Sequence, residues 1–330
     1  MGVYHLMGLG LSPGAVTAPL SYLANRYQRW NFEDQAFFAR SGEASHREQG
    51  QKVGDVQSII LFTTREVIQG VAENKKAFLS SKYINNAPGT AKGSLQEGDV
   101  MKKLLPALLK SHCEIIFGGR QSISLYWCEI DRRNIQLTYQ RVVQIITALS
   151  SVGGQGKEIW ANLTGGNNVI NFALQLAATL SGDVARLYYI QAQDRAAEQC
   201  INFATEKNYW VEMPVIPLEL SSLNLSVLDL AEQSPGISEQ DLYSRLCGSY
   251  WALIPSAEVF REITLKPLWK QGLIMENADG YRIGPQWELI QPYQESLKQT
   301  KAKMQQTDIT LEKLAQQASW IELQEIPCVT

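Results

Sequence analysis

Over the first 220 residues, short apolar runs alternate with longer stretches in which apolar positions recur every three or four residues. A short apolar or β-branched run reads as a buried strand, and the three-to-four spacing as an amphipathic helix. Strands are therefore expected at 3–7, 58–63, 114–117, 158–163 and 185–190, and helices at 15–29, 65–79, 98–111, 134–150, 168–180 and 192–207. Strand–helix–strand alternation implies parallel pairing, with helices on both sheet faces. The predicted fold class is α/β, a Rossmann-like doubly wound, mostly parallel sheet occupying residues 1–220. Segment 30–57 is polar and aperiodic, and is expected to be an insertion or long loop.

Beyond residue 220 the pattern changes. "LSVLDLAEQSPGISEQDLYSRLCG" predicts two short helices around Ser234-Pro235-Gly236, and "SAEVFREITLKPLWKQGLI" a third, with Val259, Ile263, Leu268 and Leu273 as its buried positions. "MENADGYRI" then predicts a hairpin around Asp279-Gly280. Three helices and a hairpin spell a winged-helix-like domain over 221–330. Its tail, "QPYQESLKQTKAKMQQTDITLEKLAQQ", is polar and helical in composition, placed either back on the domain or against another subunit.

Composition narrows the classes. A chain of 330 residues with 45% hydrophobic content can build a real core. It has no apolar stretch near the roughly 18 residues needed to span a bilayer, and its first cation is Arg26, so a cytoplasmic protein without a membrane partner is expected. Five scattered cysteines without C-x-x-C or zinc-ligand spacing predict free thiols and no metal. Residues 1–226 hold 21 Lys+Arg against 19 Asp+Glu, or +2, whereas 227–330 hold 9 against 14, or −5. An acidic C-terminal part disfavours duplex DNA, since phosphate neutralisation supplies most non-specific affinity.

In a doubly wound sheet the ligand lies beyond the carboxyl ends of the strands, which draws attention to "GLGLSPG", Gly8 to Gly14, after the first strand. Gly10-Leu11-Ser12-Pro13-Gly14 satisfies the G-x-S-x-G of a serine hydrolase. That elbow, however, needs a backbone N–H after the serine, which Pro13 lacks. Gly8, Gly10 and Gly14 also resemble a dinucleotide loop, but the second strand ends in Phe62-Thr63-Thr64-Arg65 without the acidic ribose anchor. A third reading joins this loop to Thr164-Gly165-Gly166-Asn167-Asn168, which follows the strand ending at Asn162-Leu163. Two hydroxyl- and glycine-bearing loops, each entering a helix, would share one sheet edge. There glycines admit a ligand to the backbone, and helix N-termini face phosphate. Plain strand-to-helix turns need the same residue types.

"LGLSPGAVTAPLSYL" and "NLTGGNNVINFAL", with "IILFTTREV" between them, resemble the signatures of the CARF family, the CRISPR-associated Rossmann fold, over roughly residues 1–215. The resemblance implies a homodimer whose paired loops form a basin for a cyclic oligoadenylate, the second messenger of type III CRISPR systems, with cyclic tetra-adenylate the expected ring. Carried onto this chain, Gly10, Leu11, Ser12 and Pro13 would line one wall. Thr164, Gly165, Gly166, Asn167 and Asn168 would line another. Thr64 or Arg65 would touch the flank, and Arg120 with Gln121, after "EIIFGG", would meet phosphate. The chain departs from the family where Asn168 replaces a frequent lysine and Asn167 a frequent threonine.

Many effectors of that family carry a HEPN ribonuclease with an Arg-x4–6-His site. No histidine follows His112, and the only such spacing, Arg40 to His46, falls in the insertion. Two functions stay open. In one, the sensor domain cleaves the ring as a ring nuclease without metal or cofactor, Ser12, Asn168 and Arg120 acting on the scissile phosphate. In the other, the dimer is a ligand-gated transcription regulator that contacts DNA through Arg261, Lys266, Lys270 and Arg282. The charge of −5 favours the first.

Overall fold

The computed structural model describes residues 2–29, 31–39, 56–70, 100–110, 122–151, 157–192, 208–215, 220–307 and 309–328. The chain forms two compact units, one of Met1–Pro217 with Gln299–Thr330 and one of Leu218–Lys298. It thus crosses between units twice, where the hydrophobic pattern indicates a single crossing near 220.

The first unit is an α/β, Rossmann-like structure. Its elements in chain order begin with β1 (Gly2–Gly8), α1 (Gly14–Arg29), α2 (Phe32–Ala39), β2 (Val56–Thr64), α3 (Arg65–Gln69) and α4 (Met101–Lys110). They continue with β3 (Ser122–Ile130), α5 (Ile135–Ser151), β4 (Lys157–Asn162), α6 (Asn168–Ser181), β5 (Arg186–Ala192) and β6 (Asn208–Met213). A seven-stranded sheet has the order β6-β5-β4-β1-β2-β3-β9, its last strand being β9 (Ile321–Pro327) from the C-terminal part of the chain. The pairs β5-β4, β4-β1, β1-β2 and β2-β3 are parallel; β6 and β9 are antiparallel edges. The inner strands read as near-continuous apolar runs because both faces are covered. Val3, Met7, Ile59, Leu61, Leu125 and Trp127 pack with Val16, Leu20 and Leu23 of α1 and Leu104, Leu105 and Leu108 of α4. The alternate residues Leu6, Ile60, Phe62 and Cys128 are equally buried.

One expectation falls outside the described residues and another is corrected. The expected strand at 114–117 lies outside the described residues, and the strand that pairs with β2 is "SISLYWCEI". It alternates only as far as Leu125; its second half is buried on both faces and loses the period of two. Within 30–57, residues 32–39 form α2, and Val56 and Gln57 begin β2. α2 is held by tertiary pairing rather than a clean apolar stripe. Asn31 Oδ1 accepts from the Asp34 amide (2.9 Å), and the buried Asp34 carboxylate binds Arg26 and Arg29, both at 2.7 Å.

The second unit contains α7 (Ser222–Gln233), α8 (Glu239–Tyr250) and α9 (Ala257–Phe260). A π-helical turn (Arg261–Leu265), α10 (Lys266–Lys270) and the hairpin β7 (Ile274–Asn277) and β8 (Gly280–Ile283) follow. Its core is built by Val227, Leu228, Leu242, Phe260, Leu265, Leu268, Ile274, Tyr281 and Trp287. The π turn adds a residue to the helix just before Pro267, whose ring crowds the carbonyl four residues back. This shift changes the buried face. Phe260, Thr264 and Leu265 point inward and Ile263 is 54% exposed, which corrects the expectation for that position; Val259 is half-buried, and Leu268 and Leu273 are buried as expected.

α11 (Pro285–Thr307) carries the chain across the unit boundary. It is followed by α12 (Leu311–Gln317) and β9 (Ile321–Pro327), which pairs with β3 and belongs to the first unit. The hydrophobic pattern assigns no element after 317; β9 is an edge strand with only Ile321 and Ile326 buried, too weak a signal to read. Among the described residues no helix is long and apolar enough to cross a membrane.

Candidate ligand site

The strand order places β1 between β4 and β2, the point where successive connections turn in opposite directions along the sheet. That is the topological switch point, where such sheets leave a crevice outside the carboxyl ends. The loops after β1 and β4 are therefore neighbours at the position the architecture reserves for a ligand.

The first loop is fixed at its ends. The Leu9 amide donates to the Phe62 carbonyl (2.9 Å), and the Thr63 hydroxyl donates to the Leu9 carbonyl (2.7 Å). Buried Pro13 starts α1, its carbonyl accepting from the amides of Val16 (2.9 Å) and Thr17 (3.0 Å). Between these anchors, Leu11 is exposed and Ser12 half-buried. Among the described residues Ser12 Oγ has no hydrogen-bond partner and does not cap the helix. A Cβ on Gly10 would meet nothing within 4 Å, so the space beside it is open.

The second loop is built differently, around Asn162, a fully buried side chain that is not among the expected site residues. Asn162 Nδ2 donates to the Ala15 carbonyl (2.9 Å), and its Oδ1 accepts from both the Thr164 amide (2.8 Å) and the Thr164 hydroxyl (2.5 Å). Thr164 Oγ1 in turn accepts from the Ile190 amide (2.8 Å). The single hydroxyl proton of Thr164 is thus committed to Asn162 and is not free for an anionic acceptor. The glycines serve contact between loops. A Cβ on Gly165 would lie 2.1 Å from Ala15 Cβ and 2.6 Å from the Gly8 carbonyl oxygen. Gly166, at φ +84°, would bring one to 3.0 Å from Gly8 Cα. Both glycines are thus required by the packing of the second loop on β1 and α1, which leaves no room for a side chain at either position.

Asn167 is the N-cap of α6, its Oδ1 accepting from the Ile170 amide (3.0 Å). Asn168 opens the helix and is exposed. The Asn168 and Val169 amides belong to the first turn, which has no intrahelical acceptors, and they add to the positive end of a helix of 14 residues.

On the flank, Thr64 and Arg65 leave the carboxyl end of β2. The Thr64 hydroxyl, the Glu66 backbone amide and the charges of Arg132 and Arg133 together hold the Glu66 carboxyl below its ordinary range. Arg120 and Gln121 lie outside the described residues. The residues that follow the carboxyl end of β3 are Asp131-Arg132-Arg133-Asn134. These cations escape the sequence pattern because β3 itself does.

His5 is the one histidine among the described residues, in mid-strand rather than at the loops. It is fully buried, with Nδ1 2.9 Å from the Tyr188 hydroxyl, and burial lowers its pKa to about 3. A neutral imidazole remote from the strand ends is packing, not a base for this site. Among the described residues no three His, Cys, Asp or Glu side chains are grouped to hold a metal.

The fold and site define a Rossmann-like domain with paired loops at the switch point. No family model matches the chain. An uncharacterized protein of Archaeoglobus fulgidus is 29% identical over 249 residues, which cover 70% of this chain and 73% of that one. Among solved structures, Csm6 of Enterococcus italicus bound to cyclic hexa-2′-fluoro-hexa-dAMP aligns at a TM-score of 0.36 and 13% identity. That alignment covers 96% of this chain and 62% of Csm6, so the chain spans less than two thirds of its length.

Proposed function

We propose that the chain is a CARF-type protein that binds a cyclic oligoadenylate, with cyclic tetra-adenylate as the expected ring, and cleaves it as a ring nuclease. The observation that carries this reading is the pair of interlocked loops at the switch point, the first of which holds a Ser12 hydroxyl without a partner among the described residues while the second leads into the N-terminus of α6. The CARF-like residues "LGLSPG" and "NLTGGNN" are these two loops.

The chemistry asks for geometry more than for reactive groups. A ribose 2′-oxygen attacks the adjacent phosphorus in line with the departing 5′-oxygen. A P–O2′ bond forms and the P–O5′ bond breaks; the 2′ proton leaves to solvent and the 5′-oxygen is protonated, giving a linear product with a 2′,3′-cyclic phosphate. The Ser12 hydroxyl donates to a phosphate oxygen or orients the 2′-hydroxyl. The Asn168 side chain and the α6 amides stabilise charge that grows on the phosphate. No general base stands among the described loop residues, which accords with slow turnover.

A symmetric ring suits an isologous dimer, each subunit offering the same half-site. Leu11 and Phe172, each 52% exposed on the β1–α1 loop and α6, are apolar groups available to such an interface. The second unit, read as a winged helix, would dock or stiffen the assembly. Its use as a DNA reader has less support, because Arg261 is paired with Glu239 (2.7 Å) and Lys266 with Glu262.

The test is incubation of the full chain with cyclic tetra- and hexa-adenylate in EDTA. Linear products ending in 2′,3′-cyclic phosphate, abolished by Ser12→Ala, support the nuclease. An intact ring with ligand-dependent retention of DNA would replace it by the regulator.

A further inference from the structure

The loops at the switch point carry no formal charge: residues 9–13 and 163–167 contain no Lys, Arg, Asp or Glu. A ligand with several phosphates laid across them needs balancing charge from elsewhere. Among the described residues that directly follow the parallel strands, cations occur after β2 and β3 only, as Arg65, Arg132 and Arg133. The parallel register sets Thr64 opposite Ile130, so the chain leaves both strands side by side on the edge that carries the loops. All three arginines are exposed.

The β3–α5 turn is tied down. Asp131 Oδ1 accepts from the Arg133 amide (2.8 Å), and Asn134 Oδ1 accepts from the Leu137 amide (2.9 Å), capping α5. Glu66 follows Arg65 in the first turn of α3, and the Thr64 hydroxyl and the charges of Arg132 and Arg133 favour its ionised form. With adjacent strands about 4.8 Å apart, the end of β3 lies about 10 Å from that of β1, within the span of an oligonucleotide.

We infer that Arg132 and Arg133, with Arg65, form a phosphate-binding flank on the β2–β3 side of the site, where the carboxylate of Glu66, next to Arg65 in the chain, opposes a ligand phosphate. Unlike the neutral loops, which position the reacting phosphodiester, this flank supplies charge to the remaining phosphates. The inference rests on the cyclic oligoadenylate reading.

Labelled cyclic tetra- and hexa-adenylate are titrated against the full chain, the double variant Arg132→Ala/Arg133→Ala, and Glu66→Gln, between about 50 and 200 mM salt. The double variant is expected to bind about fivefold more weakly at low salt. Its slope of log affinity against log salt should be shallower by about 0.7 for each phosphate that the arginines no longer neutralise. Glu66→Gln is expected to bind more tightly, a change of sign that partial unfolding would not produce. If the wild type binds a ring and all three proteins share its affinity and salt slope, the flank is refuted while the ring reading stands. If the wild type binds neither ring, the ring reading fails and the flank, as a subsite for it, falls too.

Discussion

The loop after β1 and the loop after β4 have similar sequences, each with a hydroxyl among glycines before a helix, yet they do different work. In the second loop the Thr164 hydroxyl is held by Asn162 and the Ile190 amide, and the Gly165 and Gly166 positions are filled by neighbouring backbone and Ala15. In the first, Ser12 Oγ has no partner among the described residues, and the space beside Gly10 is open. One loop is tied into the scaffold, and the other keeps an unpartnered hydroxyl beside open space. Glycine and hydroxyl content marks a place in the fold; only the partners of each atom separate holding a loop from meeting a ligand.

Substitutions that treat the loops alike should expose this difference. Gly165→Ala forces a methyl against Ala15 Cβ and the Gly8 carbonyl. It should cost about 3 kcal/mol in chemical denaturation, whereas Gly10→Ala should stay within about 0.5 kcal/mol. Equal losses at the two glycines would break the distinction. Next in size, Asn162→Ala leaves the Thr164 amide and hydroxyl and the Ala15 carbonyl without their partner, and should cost about 2 kcal/mol in the same assay. A fully stable Asn162→Ala would mean that the second loop is not built on this side chain.

A separate effect concerns the strand beneath the loops and appears only in acid. Burial holds the folded-state pKa of His5 at about 3, below the ordinary 6.5, so the unfolded chain binds the extra proton first. Its neutral form contributes stability that is fully present above pH 6.5 and is lost as pH falls toward 3, at up to about 1.4 kcal/mol per pH unit. His5→Gln should flatten the stability profile across that window; an unchanged slope would show that other groups set it.

Much of this is legible in the chain. Strands β1, β2, β4 and β5 announce themselves as apolar runs before turn residues, and with α1, α5 and α6 they suffice to place both loops at one edge. What escapes does so for physical reasons. β3 joins an alternating start, in which Ser122 and Ser124 are the polar positions, to a short apolar run that ends at Glu129, so it shows neither pattern throughout, and Arg132 and Arg133 go unplaced with it. β9 exposes most of its residues at the sheet edge and carries too little apolar signal. Ile263 misleads because the π turn before Pro267 rotates the helix. Asn162 offers one signal, a lone amide at the end of a buried strand and two residues before Thr164. Its role is set by its bond to Ala15, 147 positions away in sequence, which no local pattern records.

The sharpest measurement pairs the two hydroxyls: single-turnover cleavage of cyclic tetra-adenylate by Ser12→Ala and Thr164→Val, each with its thermal unfolding midpoint. The expected result is that Ser12→Ala keeps the wild-type midpoint and loses cleavage by about 100-fold or more. Thr164→Val should lower the midpoint while the molecules that remain folded still open the ring. Cleavage at the wild-type rate by Ser12→Ala, or loss of cleavage by a Thr164→Val protein of undiminished stability, would contradict the assignment of Ser12 as the contacting hydroxyl and Thr164 as scaffold.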